Sequence, residues 1–140
     1  MARVLAFLVA VIAGTGAIVA TASGATSAMP AGDATRGAKI YEDNCTGCHS
    51  LDANRIGPAH RGVFGRKAGD RPRYNYSNAM RTADFTWDAE KLDHWLENPR
   101  TFLPGNKMTF PGLPDATDRR DVIAFLKVET GYKPEPAPAA

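Results

Sequence analysis

Two cysteines and a histidine stand together in Cys45-Thr46-Gly47-Cys48-His49, and no other stretch of the chain is so well suited to chemistry. C-x-x-C-H is the spacing at which a c-type haem is attached. Each thiol adds across one vinyl group of the porphyrin to give a thioether. Two thiols about one helical turn apart match the two vinyl positions on one edge of the ring. The adjoining histidine is then held where its imidazole reaches the iron.

Other uses of these residues are less well served. Cys45 and Cys48 are the only cysteines. A thioredoxin-like pair wants a βαβ pattern around it, and the sequence has none. A structural zinc site wants four ligands, commonly with a second Cys/His pair at short spacing. The remaining histidines, His60 and His94, are not so spaced. A plain disulfide loop leaves His49 unexplained.

A haem so attached needs export, because c-type attachment in bacteria takes place outside the cytoplasm. Met1–Ala22 has the form of a secretory signal: Arg3 supplies the positive start, Val4–Ala13 is unbroken apolar sequence, and Ala20-Thr21-Ala22 is an A-x-A cleavage site. A cut as late as Ala28 also fits. The apolar stretch approaches the ~20 residues that span a bilayer, but Gly14, Thr15 and Gly16 interrupt it, so cleavage is expected over membrane anchoring. Of the 140 residues, 29–133 are then expected to form one domain. The Pro/Ala-alternating segment 134–140 reads as a disordered tail.

The net charge of +2 falls to +1 when Arg3 leaves with the leader, with 16 basic against 15 acidic residues. Bulk charge therefore argues against a nucleic-acid partner. Its distribution is uneven: Arg55, Arg61, Arg66, Lys67, Arg71, Arg73 and Arg81 face one acid, Asp70. Such a run is either a solvated loop or a docking patch for an acidic partner.

Three helices are expected to position these groups. The first is capped by Asp33 and runs into Asn44-Cys45, with Gly37, Ala38, Ile40 and Tyr41 at helical spacing. The second opens at Thr86-Trp87-Asp88, carries Leu92, Trp95 and Leu96, and stops at Asn98-Pro99. The last starts near Thr117-Asp118, turns Val122, Ile123, Phe125 and Leu126 inward, and ends near Gly131. Between the first two, Gly57-Pro58, Gly62, Gly65 and Gly69 punctuate a long irregular stretch able to wrap a ligand. The fold class is all-α with long loops.

The sixth position of the iron separates an electron carrier from a ligand-binding haem. Met29, Met80, Met108, His60 and His94 are the candidates. Met108 follows a Pro-Gly turn, and a thioether there would close the site. Any single methionine can equally be core filler.

From Gly37 to Lys127 the chain closely resembles class I cytochrome c, the mitochondrial and bacterial cytochrome c2 type. The matching pieces include Cys45–His49, Gly57-Pro58, Gly62–Gly69, Tyr74–Ser77, Trp87, Leu96–Pro99, Pro104–Phe110 and Asp121–Lys127. The resemblance implies a cytochrome c fold around one covalent haem c, with His49 and Met108 as axial ligands. It implies that the Pro58 carbonyl orients His49, and that Arg66, Tyr76 and Trp87 hold a buried propionate. It implies that Gly37 and Tyr41 pack against Phe125 where the first and last helices cross. Lys107 is implied as a replacement for Met108 at high pH.

Three positions depart from the family pattern. His60 stands where an apolar residue is usual; it is expected to point outward, with an inward polar contact as the alternative. Trp95 stands where a tyrosine is usual and cannot accept a hydrogen bond. Met80 stands where a small polar residue is common. The expected function is one-electron transfer by a periplasmic monomer, not an enzyme, docking transiently on membrane complexes. A quinol-oxidising cytochrome complex, a terminal oxidase, a reaction centre and a periplasmic dehydrogenase are all open as partners. An open sixth site, binding gases or peroxide, is the alternative.

Overall fold

The computed structural model describes residues 31–131. The leader, its cleavage sites, Met29 and the 134–140 tail lie outside them. Among the described residues five helices follow in order: α1 (Ala34–Cys45), α2 (Asn78–Thr82), α3 (Ala89–Glu97), α4 (Pro99–Phe102) and α5 (Ala116–Glu129). Among the described residues the only β pairing is an antiparallel bridge between Lys67 and Thr86. The all-α expectation holds.

Each long helix begins at an aspartate. The carboxylate of Asp33 accepts from the N–H groups of Thr35 and Arg36, that of Asp88 from Lys91, and that of Asp115 from Thr117 and Asp118. These bonds satisfy donors that the first turn leaves unpaired. The last helix therefore starts slightly earlier than Thr117. Two short helices escaped the sequence reading. Ser77 caps α2 by accepting from the Met80 N–H. Asn98-Pro99 stops α3 as expected, but Asn98 also caps α4, with Pro99 in its first turn. Proline lacks only an N–H that has no partner there.

α1 and α5 cross closely. A Cβ built on Gly37 would lie 1.9 Å from the Asp121 carbonyl oxygen, so only glycine admits the approach. Tyr41 lies across the same crossing, its ring 5.0 Å from that of Phe125. Asp121 seals one end: it accepts from the Asp33 N–H at 2.8 Å and pairs with the Arg36 guanidinium. Tyr41, Val122, Ile123 and Leu126 are buried here, while Phe125 is half-buried.

Residues 46–77 contain no helix and wrap the side of the molecule. Backbone bonds of 2.8 Å (Gly65 N–H to Trp87 O) and 2.9 Å (Ala68 N–H to Phe85 O, Trp87 N–H to Arg66 O) lay this segment against the lead-in to α3. The rings of Phe85, Trp87, Trp95 and Phe102 meet edge to face nearby. The long irregular stretch is thus held from both ends.

Candidate functional site

The chain does not stop turning where α1 ends. The Cys45 carbonyl accepts from the N–H groups of Cys48 at 3.1 Å and His49 at 2.8 Å. That turn brings both cysteines and His49 to the wall of one cavity of about 550 Å³. Pro58, Arg66, Tyr76, Trp87 and Met108 line the same cavity, so all eight sequence-derived site residues meet there. Met80, His60 and Trp95 line it too. His94 does not: it sits on the exposed side of α3, near Glu97.

Cys45 is half-buried and Cys48 exposed. Burial, with Cys48 beside it, pushes the Cys45 thiol up to about 12.

His49 is buried, and its Nδ1 lies 2.8 Å from the Pro58 carbonyl oxygen. A carbonyl only accepts, so Nδ1 carries the proton and Nε2 keeps its lone pair. Burial lowers the pKa of the ring, and the Pro58 bond offsets this in part. His49 is therefore a neutral imidazole ready for a metal. Gly57 makes room for it: a Cβ there would fall 2.2 Å from His49 Cε1.

His60 corrects an expectation. It points inward. Its ring stacks on that of His49, with centroids 4.0 Å apart and planes 20° from parallel. Its Nδ1 lies 3.0 Å from the Tyr41 hydroxyl. Burial first, then the neighbouring His49 and Arg66, push its pKa well below the ordinary range, so this ring is neutral as well.

The Met108 segment is pinned by residues that carried no obvious signal. Asn106 donates to the Pro99 and Leu103 carbonyls, at 2.8 Å each, and accepts from the Met108 N–H at 2.8 Å. Its place after Pro104-Gly105 is the one available cue, since asparagine commonly closes a turn on the backbone two residues on. Lys107 Nζ donates to the Asn75 carbonyl at 2.7 Å, pointing along the surface. Farther along, buried Arg119 donates to the Leu113 and Pro114 carbonyls at 2.9 and 3.0 Å and pairs with Asp93 at 2.7 Å. Nothing in the sequence marked Arg119 as other than a surface residue of α5.

Arg66 offers a test of what fills the cavity. Its guanidinium donates to the Ala59 and Arg61 carbonyls, at 3.1 Å each, and burial lowers its pKa. Among the described residues no carboxylate lies within ion-pair distance of it. A half-buried cation without its anion suits a ligand that brings carboxylates. With two thiols and a neutral imidazole on the same wall, the residues fit a haem.

The model of the family described as Cytochrome c matches residues 34–128. The chain belongs to the cytochrome c family. Cytochrome c2 of Rhodomicrobium vannielii is 44% identical over 108 residues, covering 75% of this chain and 86% of that protein. Cytochrome c of Euglena viridis is 46% identical over 98 residues, covering 69% and 96%. Among solved structures, cytochrome cH from Methylobacterium extorquens superposes with a TM-score of 0.67 at 41% identity, covering 69% of this chain and 99% of that one. This cytochrome is a class I c-type electron-transfer protein with the cytochrome c fold, and its prosthetic group is one covalently bound haem c.

The basic run of this cytochrome is only partly free. Arg61 pairs with Asp52 and Glu129, Lys67 with Asp84, and Arg66 turns inward. Arg55, Arg71 and Arg81 each donate to a backbone carbonyl. Much of the charge is tied down locally.

Proposed function

We propose that this chain is a periplasmic one-electron carrier whose iron is bound by His49 Nε2 on one side and by the Met108 sulfur on the other. The observation that carries the reading is that His49, oriented by Pro58, and Met108, held by Asn106, line one cavity. When bound, the haem supplies a one-electron iron couple. His/Met coordination raises the potential and leaves no vacancy for a guest molecule, and the soft thioether favours the reduced state. With His49 and Met108 both supplied by the folded chain, the couple would need little rearrangement on electron transfer.

The remaining residues serve that couple. Pro58 fixes the His49 tautomer. Arg66, Tyr76 and Trp87 hold a haem carboxylate away from water. Cys45 and Cys48 supply the thioethers. The leader, residues 1–22, exports the chain and is cleaved, leaving the domain 29–133 with its Pro/Ala tail. The carrier works as a monomer and is not an enzyme. Its partners are redox proteins: a quinol-oxidising complex, a terminal oxidase, a reaction centre or a dehydrogenase. Basic rim residues speed encounter and allow rapid release.

The test is an absorbance spectrum of the mature protein. Ferric iron bound to methionine sulfur has a weak far-red band. The band is expected in the unmodified protein and in Met80→Ala, and is expected to vanish in Met108→Ala, which then takes up carbon monoxide. A high-spin ferric spectrum and rapid carbon monoxide binding before any substitution would establish the open-site reading instead. Exchange with a redox partner is expected to slow as ionic strength rises; a flat dependence removes the docking role.

A further inference from the structure

We infer that His60 is a positioning residue for the proximal ligand: stacked face to face on His49, it lowers the reduction potential of the iron. The inference rests on the axial-ligand reading above for the bond between His49 and iron, and goes beyond it in assigning a role to the ring behind that ligand.

The stack is close, 4.0 Å between centroids and 20° from parallel. It is also built in. The His60 N–H donates to the Ser50 carbonyl at 3.0 Å, and its carbonyl accepts from the Val63 N–H at 2.8 Å. The ring is held by Tyr41, whose hydroxyl lies 3.0 Å from Nδ1. Tyr41 is itself buried at the crossing of α1 and α5, against Phe125. A buried hydroxyl proton left without an acceptor is costly, and among the described residues Nδ1 of His60 is the acceptor the Tyr41 hydroxyl has. With Tyr41 taken as the donor, the His60 proton lies on Nε2. Two parallel imidazoles result, each pinned at Nδ1: His49 by an acceptor, Pro58, and His60 by a donor, Tyr41.

The consequence follows from where charge changes. Oxidation adds one positive charge to the iron, and the bound imidazole shares it. The π face of a neutral ring attracts positive charge within about 6 Å; an aliphatic side chain in that place does not. His60 thus favours the oxidised state more than an apolar residue would. The Tyr41 bond keeps the ring face on, so that the effect does not average away.

The midpoint potential of the holoprotein tests this, with the ferric far-red band recorded alongside. His60→Leu is expected to raise the potential, shifting the electron-transfer equilibrium with a fixed partner by about fivefold to tenfold, where tenfold corresponds to 59 mV for one electron. His60→Phe, which keeps a ring on His49, is expected to reverse most of the shift. Tyr41→Phe, with both rings kept, is expected to move the potential the same way by less. An unchanged or lowered potential in His60→Leu, or a rise that His60→Phe fails to reverse, overturns the inference, while an intact far-red band leaves the axial-ligand reading standing. A missing band in the unmodified protein brings down that reading first. Should His60→Leu fail to mature, Tyr41→Phe decides, and an unmoved potential there overturns the inference.

Discussion

The Lys107 ammonium donates to the Asn75 carbonyl at 2.7 Å and so joins the segment carrying Met108 to the loop ahead of α2. The amine nearest in sequence to the thioether is thus engaged in a bond that must break before it can serve as a ligand. Lys107→Ala is expected to keep the far-red band to higher pH than the unmodified protein. A band lost at the same or lower pH in the variant would remove Lys107 as the replacing ligand.

Arg119 ties α5 to the chain between Met108 and the helix. It is buried, donates to the Leu113 and Pro114 carbonyls, and pairs with the half-buried Asp93. Removing one partner of such a set leaves the others unpaired, at a cost of about 3 kcal/mol. Arg119→Leu is expected to lower the denaturation midpoint accordingly and to make the iron–sulfur band more labile to denaturant than the Soret band. Equal loss of both bands would limit Arg119 to global stability.

The cavity of about 550 Å³ sits inside a folded segment of about 100 residues. Apolar side chains such as Ile56, Trp95 and Phe110 line it, and an ordinary domain has only about 5–15 kcal/mol of net stability with which to hold such a lining open to water. The double variant Cys45→Ala/Cys48→Ala, which cannot form thioethers, is expected to be largely unfolded. Native helix content by circular dichroism would contradict this.

The helix caps set part of the acid response. The Asp115 carboxylate accepts from the N–H groups of Asp118 and Thr117, and these hold its pKa below the ordinary 3.8. A folded pKa below the unfolded one gives stability that is present above about 3.8 and lost as pH falls through the folded value. Asp115→Asn keeps a capping oxygen but does not titrate. The variant is expected to show a shallower loss of stability below pH 4, read as thermal midpoint against pH. Parallel curves for the two proteins would exclude Asp115 from the acid limb.

Some of this protein was legible residue by residue. Cys45–His49 declared the haem because its chemistry depends on local spacing alone. The aspartate caps and the Asn98-Pro99 stop were readable because capping and proline sterics act within one turn. Gly37 was expected at a helix crossing, and the 1.9 Å approach to Asp121 explains why. α4 was missed because Asn98 ends one helix and begins the next, which looks like a simple stop. α2 was missed because five residues offer too short a period to see.

What the sequence by itself determined is the chemistry written into neighbouring residues: thioether attachment, a histidine ligand, helix starts and stops. What only the tertiary structure decided is where side chains far apart in sequence point. His60 turns inward because Tyr41, 19 positions earlier, offers it a hydrogen bond, and the Met108 segment is held by Asn106, Lys107 and Arg119 through backbone carbonyls of other segments. A carbonyl is present at every residue and leaves no mark on the sequence, so contacts made through it become visible only once the chain has folded.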